Sequence, residues 1–152
     1  MAQRDRSATS DRLGVRQMLG RLVGRVLSFL HRFRSGNDRV RVLARRSDGK
    51  ILVVRNYYSR QGWALPGGGV KRSESRVQAA RRECVEEVGL QIDSLRYVGC
   101  TYSYESYRPF VVYVYAGVVS GDGVVRRNHE IMAAGWADGA QLPQEYRSFI
   151  DK

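Results

Sequence analysis

Three glutamates, Glu83, Glu86 and Glu87, follow closely on three consecutive glycines, Gly67, Gly68 and Gly69. On a helix, at about 100° per residue, the three carboxylates fall within an arc of roughly 100° and can point at one spot. Crowding like charges at i, i+3 and i, i+4 costs a few tenths of a kcal/mol per pair unless something neutralises them. A divalent cation is the simplest neutraliser. Carboxylate oxygens are hard ligands, so Mg²⁺ or Mn²⁺ suits them better than zinc, whose usual Cys and His pairs are missing from this stretch. Such a site could hold a cation against a phosphate chain. The competing reading is a solvated acidic helix face, and the adjoining glycine loop weighs against it.

The element that must carry these carboxylates is a helix over residues 73 to 88. Ser73 reads as its N-cap, Glu74 as a first-turn acid favoured by the helix dipole, and Gly89 as its C-cap. Val77, Ala80, Cys84 and Val88 recur at helical spacing as an apolar stripe, which the three glutamates are expected to border without overlapping. Upstream, Trp63-Ala64-Leu65 is strand-like, and Pro66-Gly67-Gly68-Gly69 delivers the chain from it into the helix. Glycines let backbone amides and carbonyls approach a ligand with no Cβ in the way.

The full spacing is G-x5-E-x7-R-E-U-x-E-E-x-G-U with U apolar, from Gly68 to Leu90, and every fixed position is filled. It resembles the signature of the Nudix (MutT-type) hydrolases, which cleave a nucleoside diphosphate linked to another group. The resemblance implies a Mg²⁺- or Mn²⁺-dependent pyrophosphohydrolase, with Glu83, Glu86, Glu87 and the Gly68 carbonyl as metal ligands. It implies that Glu74 and Arg82 shape the loop and orient the helix. It also implies a further acid before a late strand that contains Trp. Here His129-Glu130-Ile131 precedes Gly135-Trp136-Ala137, so Glu130 is the candidate base or extra ligand. General-base duty could fall to Glu83, Glu87 or Glu130, and His129 reads as a surface residue. The alternative is a catalytically silent nucleotide-binding regulatory module of the same fold, though such proteins usually lose a carboxylate of the signature and none is missing.

Aromatic residues that could stack a base include Tyr57, Tyr58, Trp63, Tyr102, Tyr104 and Tyr107. Of these, Tyr57, Trp63 and Tyr107 are the substrate-binding candidates. Tyr107 lies where dinucleoside polyphosphate hydrolases tend to carry Tyr, and Pro109 falls a few positions late for the proline of ADP-ribose hydrolases. The run from Trp63 to Gly67 departs from the Gln-containing version found in RNA pyrophosphohydrolases. Nucleoside triphosphates, ADP-ribose, nucleotide sugars and dinucleoside polyphosphates all stay open.

The chain of 152 residues, 43% hydrophobic, is expected to bury one core. Its net charge of +11 would suggest nucleic-acid binding, but residues 1–46 hold twelve Arg against three Asp, leaving only +2 for the rest. No specific nucleic-acid partner is expected. Cys84 and Cys100 read as buried thiols of a reducing compartment, and the absence of any long apolar run points to a cytoplasmic protein.

Residues 1–12 read as a disordered tail. Residues 13–34 read as a basic amphipathic helix that could dock on the domain, pair in a homodimer, contact a membrane surface peripherally, or serve as a mitochondrial presequence. Residues 35–38 should break that helix. Val40, Val42 and Ala44 then mark a first strand, 47–50 a hairpin turn and 51–54 a buried strand. Further strands are expected over 95–104, 110–119 and 134–137, with a loop containing Glu105 and Pro109, a turn at 120–123 and a C-terminal helix from Leu142. The fold class is α+β, resembling the Nudix α/β/α sandwich with a mixed sheet over 38–152 and an amphipathic helix before it.

Overall fold

The computed structural model describes residues 35–57, 62–105, 108–119, 125 and 128–152. The readings for 1–34, Tyr58, Tyr107 and the turn at 120–123 lie outside these residues. The described fold is the compact unit Gly36–Lys152.

The framework starts from a hairpin of β1 (Ser35–Arg45) and β2 (Ile51–Asn56), antiparallel with Arg45 opposite Ile51. Asp48 Oδ1 accepts the Lys50 amide at 3.2 Å, and Gly49 takes φ +85°, which glycine adopts without Cβ strain. Beyond this turn the segment 64–69 joins both strands: Val54 bridges Ala64, while the Val42 and Val40 amides donate to the carbonyls of Pro66 and Gly68, each at 2.9 Å. It leads into the short strand β3 (Gly69–Lys71), and the glycine run is thereby held at the sheet.

β5 (Arg108–Val119) runs parallel to β1, from Asp38 opposite Val111 to Arg45 opposite Val118. β4 (Ile92–Glu105) is antiparallel to β5, and β6 (Ile131–Ala137) is antiparallel to β2. The order is therefore β4-β5-β1-β2-β6 with β3 on β1, a mixed sheet of six strands.

Period-two alternation sends side chains to two faces. Val40, Val42, Ala44, Leu52 and Val54 meet Ala79, Ala80, Cys84 and Val88 of helix α1 (Arg76–Val88) on one face. Leu43, Ile51, Val53 and Val114 meet Leu142, Tyr146 and Phe149 on the other, beside the 3₁₀ turn Gly139–Gln141 and helix α2 (Gln144–Arg147). Each fully buried Val or Leu contributes about 1.5–3 kcal/mol of transfer free energy, so both layers are firmly attached.

Several expectations require correction. The first strand starts at Ser35, within the segment read as a helix break, rather than near Val40, and β5 offers Asp38 a parallel partner. The N-cap of α1 is Ser75, not Ser73: Ser75 and Gln78 form a reciprocal capping box. Glu74 lies before the helix, in a turn where its Oε1 accepts the Lys71 amide at 2.7 Å. Glu105 and Pro109 are not loop residues, since the β4–β5 ladder continues through Tyr104 opposite Pro109 and Glu105 opposite Arg108. The C-terminal helix, expected from about Leu142, begins at Gln144, with Pro143, which lacks an amide hydrogen, as its cap residue. Cys84 is buried but Cys100, on the edge strand β4, is exposed. Gly89 caps α1 as expected, with φ +69° and its amide shared between the Cys84 and Val85 carbonyls.

Candidate active site

The glycine loop and the second half of α1 meet at Glu83 and Glu87. The Gly67 amide donates to Glu87 Oε2 at 2.9 Å, and a Cβ placed on Gly68 would lie 2.6 Å from Glu83 Oε1. The Glu83 carboxylate thus occupies space that any residue larger than glycine would claim. Gly67 is constrained as well: its φ is +139°, and a Cβ there would fall 2.2 Å from the Val40 carbonyl oxygen.

Rather than bordering the apolar stripe without overlapping it, as expected, Glu87 is 5% exposed. It follows Cys84 by three residues and Ala80 by seven, so it shares their stripe and the glycine loop closes over it. Burial pushes its carboxyl up to about 8, the nearby Glu83 adds to the rise, and the Gly67 amide and Arg41 oppose it. Burial also raises Glu83, against the pull of Arg82. Glu86 differs, because its side chain is 49% exposed.

Arg82 organises the acidic cluster. Its Nε and Nη2 grip both oxygens of Glu74, at 2.9 and 2.6 Å, and Nη2 also donates to the Gly69 carbonyl at 3.0 Å. Its Nη1 reaches Glu83 at 2.8 Å and Glu86 at 2.9 Å. The hydrogen bonds from Arg82 hold Glu74 below its ordinary value, and those to Glu74 raise Arg82. Arg82 therefore ties the loop to the helix while contacting three of the four signature carboxylates, Glu74, Glu83 and Glu86. Among the described residues, no three His, Cys, Asp or Glu side chains already stand together as an ion cage.

Two loop carbonyls face guanidinium groups: Arg41 Nη1 donates to Gly67, and Arg82 Nη2 to Gly69. The Gly68 carbonyl accepts a neutral backbone amide, that of Val40, and a carbonyl oxygen has a second lone pair.

Glu130 approaches from the β6 side. The Asn128 amide donates to the Glu87 carbonyl at 3.0 Å, and Asn128 Oδ1 accepts the Glu130 amide at 2.8 Å. The negative charge of Glu130 contributes to raising Glu87. His129 is exposed and its Nε2 lies 4.0 Å from Glu130 Oε1.

A NUDIX domain model matches residues 37–152. This chain belongs to that family. The Nudix fold is matched in solved structures: a MutT protein from Methanosarcina mazei Go1 superposes with a TM-score of 0.64 at 27% identity, covering 75% of this chain and 89% of that one. A MutT NUDIX hydrolase from Burkholderia pseudomallei gives 0.61 at 26% identity, covering 70% and 86%. Among curated proteins, an RNA pyrophosphohydrolase of Teredinibacter turnerae is 38% identical over 60 residues, 40% of this chain and 35% of that protein. An 8-oxo-dGTP diphosphatase of Buchnera aphidicola is 39% identical over 59 residues, 37% of this chain and 48% of that protein. The chain thus aligns with less than half the length of either relative.

Of the aromatic residues read as able to stack a base, Tyr57, Trp63 and Tyr102 differ in their surroundings. The Tyr57 amide donates to the Glu130 carbonyl at 3.1 Å and its side chain is exposed. Trp63 is 42% exposed, with the Arg55 guanidinium 5.6 Å from its ring centroid. Tyr102 is exposed on the edge strand β4. Sequence reasoning missed Arg41 and Asn128. Arg41 left one signal, a charge inside an alternating strand; Asn128 left none beyond its place just ahead of His129-Glu130.

Proposed function

We propose that this Nudix chain hydrolyses a phosphoric anhydride bond in a nucleotide, with a divalent cation held by Glu83, Glu86, Glu87 and the Gly68 carbonyl. The observation that carries this reading is the pairing of Glu83 and Glu87, two desolvated carboxylates packed against a glycine loop. Burial of like charges is unfavourable unless a counter-charge is supplied, and their hard oxygens suit Mg²⁺ or Mn²⁺. When bound, such an ion neutralises phosphate oxygens, lowers the pKa of water and steadies the leaving phosphate.

The chain's own residues would do the rest. Gly67 and Gly68 let the backbone lie close to the carboxylates, and Arg82, anchored on Glu74, keeps Glu83 and Glu86 at the loop. Releasing Glu83 and Glu86 from Nη1, with the Glu74 grip retained, frees both for ligation. Glu83, Glu87 or Glu130 would accept the proton of the attacking water. Tyr57, Trp63 and Tyr107 would contribute stacking surface to the substrate.

The substrate is a small phosphorylated nucleotide. 8-oxo-dGTP, a nucleoside triphosphate, and RNA are drawn in by the names of the curated relatives. We further assign 38–152 to the hydrolase domain, a cytoplasmic location to the chain, and a homodimer or membrane-surface contact to 13–34. Co-sedimentation with anionic liposomes, comparing the full chain with one beginning at Ser35, separates those last two: equal sedimentation rejects the membrane contact. Among the described residues no helix is long and apolar enough to cross a membrane.

The activity is tested by turnover of a panel of oxidised and normal nucleoside triphosphates, ADP-ribose, nucleotide sugars, dinucleoside polyphosphates and 5′-triphosphorylated RNA with Mg²⁺. Glu86→Gln and Glu87→Gln are each expected to lower kcat by about 100-fold or more. Undiminished turnover in both variants would eliminate the assignment. Nucleotide binding with no turnover across the panel would favour the silent regulatory module.

A further inference from the structure

Asn56 ends β2 at an irregularity of the sheet. Arg55 pairs with Ala133 but Asn56 with Ile131, so β6 carries one extra residue between them. Val54, two residues before Asn56, and Ile131, opposite it, both belong to the core layer beneath α1. Alternation therefore places Asn56 on the α1 face, beside Glu130, whose carbonyl accepts the Tyr57 amide. From there the chain leads through Asn128 to the Glu87 carbonyl.

At this position the side-chain amide is left unfinished. Among the described residues, Asn56 Oδ1 is buried without a hydrogen-bond partner. A buried polar atom in that state costs about 1–3 kcal/mol, and native proteins keep such atoms where something else uses them. The atom left over is an acceptor, so what completes it must donate. Phosphate, which only accepts, cannot do this. A nucleobase edge can, because it presents a ring or exocyclic N–H.

We infer that the Asn56 amide is a specificity-determining contact that reads the base of the nucleotide substrate, its Oδ1 accepting from an N–H of the base edge. The inference rests on the hydrolase reading for its substrate class but predicts which residue tells one substrate from another. A site built to hydrogen-bond a substrate group rejects analogues that lack it, since its own polar atoms are then left unpaired.

The test compares wild type with Asn56→Leu, of similar size and without the amide, on the four common ribonucleoside triphosphates, their 2′-deoxy forms and base-free ribose 5-triphosphate. The variant should lose about tenfold or more in kcat/KM on the preferred nucleotide, none on the base-free substrate, and should melt no lower than wild type. An equal loss on both substrates, or on neither, overturns the inference. If Asn56→Leu does not fold, or if wild type turns over nothing, the same question is put to binding.

The chain has three asparagines, Asn37, Asn56 and Asn128, so asparagine-selective ¹⁵N labelling gives three side-chain amide pairs, with Asn56→Asp identifying its own. Nucleoside monophosphates should shift the Asn56 pair and ribose 5-phosphate should leave it in place. A shift with ribose 5-phosphate alone would transfer the contact to a sugar hydroxyl and refute base reading. No shift with any nucleotide would refute the contact altogether. Loss of turnover in Glu87→Gln with unchanged base preference in Asn56→Leu would sink this inference alone and leave the hydrolase reading standing.

Discussion

Glu87 is the residue on which local physics and function bear most directly. Its carboxyl is raised from the ordinary range to about 8, chiefly by burial and then by Glu83. The folded protein therefore holds a proton that the unfolded chain has already lost above pH ~4.5. Where the folded state binds more protons, stability falls as pH rises. In the absence of metal, the contribution of Glu87 is fully present below pH ~4.5 and is lost progressively toward pH ~8, a change on the order of 5 kcal/mol. Glu87→Gln keeps an acceptor for the Gly67 amide and removes the titration. Thermal melts in chelator should find the variant at least about 5 °C more stable than wild type at pH 8.5, and near wild type at pH 4.5. A constant difference across that range would contradict the buried-acid account. Burial of Glu87 was not legible in the sequence, because helical spacing alone gives the angle between side chains and not the loop that covers them.

At the scale of elements, the sequence carried much of the framework. The hairpin turn at Asp48-Gly49, the β1 alternation and the Gly89 cap are local signals, and each appears where turn chemistry and periodicity put it. The misread ends share one cause: a tertiary or reciprocal bond outweighed the local signal. Ser73 and Ser75 are both acceptable caps by propensity, and the choice falls to Ser75 because Gln78 returns a bond to its amide at 2.8 Å. Residues 35–38 look like helix-breaking punctuation until β5 supplies a parallel partner from far along the chain. Capping contributions are about 1 kcal/mol, so Ser75→Ala should cost about 1–2 kcal/mol in chemical denaturation and Ser73→Ala less than about 0.5 kcal/mol. The reverse order would show that the helix starts where the sequence alone suggested.

Across the whole molecule, two apolar layers on opposite faces of one mixed sheet hold the glycine loop against α1. The loop does not hang from the surface, because residues 64–68 bond to β2 on one side and β1 on the other. That embedding is what allows a loop of glycines to hold fixed positions next to buried carboxylates. The signature announced which residues would meet; only the sheet explains why Glu83 and Glu87 lie inside while Glu86 stays out. Arg82 completes the arrangement by pairing with Glu74, Glu83 and Glu86.

The most direct measurement is calorimetric titration of Mn²⁺ into the full chain at pH 7, repeated in two buffers of different ionisation enthalpy so that proton release is counted. Because Glu87 is mostly protonated at that pH and a metal ligand must be ionised, binding should release on the order of one proton per ion, and Glu87→Gln should abolish that release. Uptake of no ion by wild type, or release unchanged in Glu87→Gln, would contradict the account.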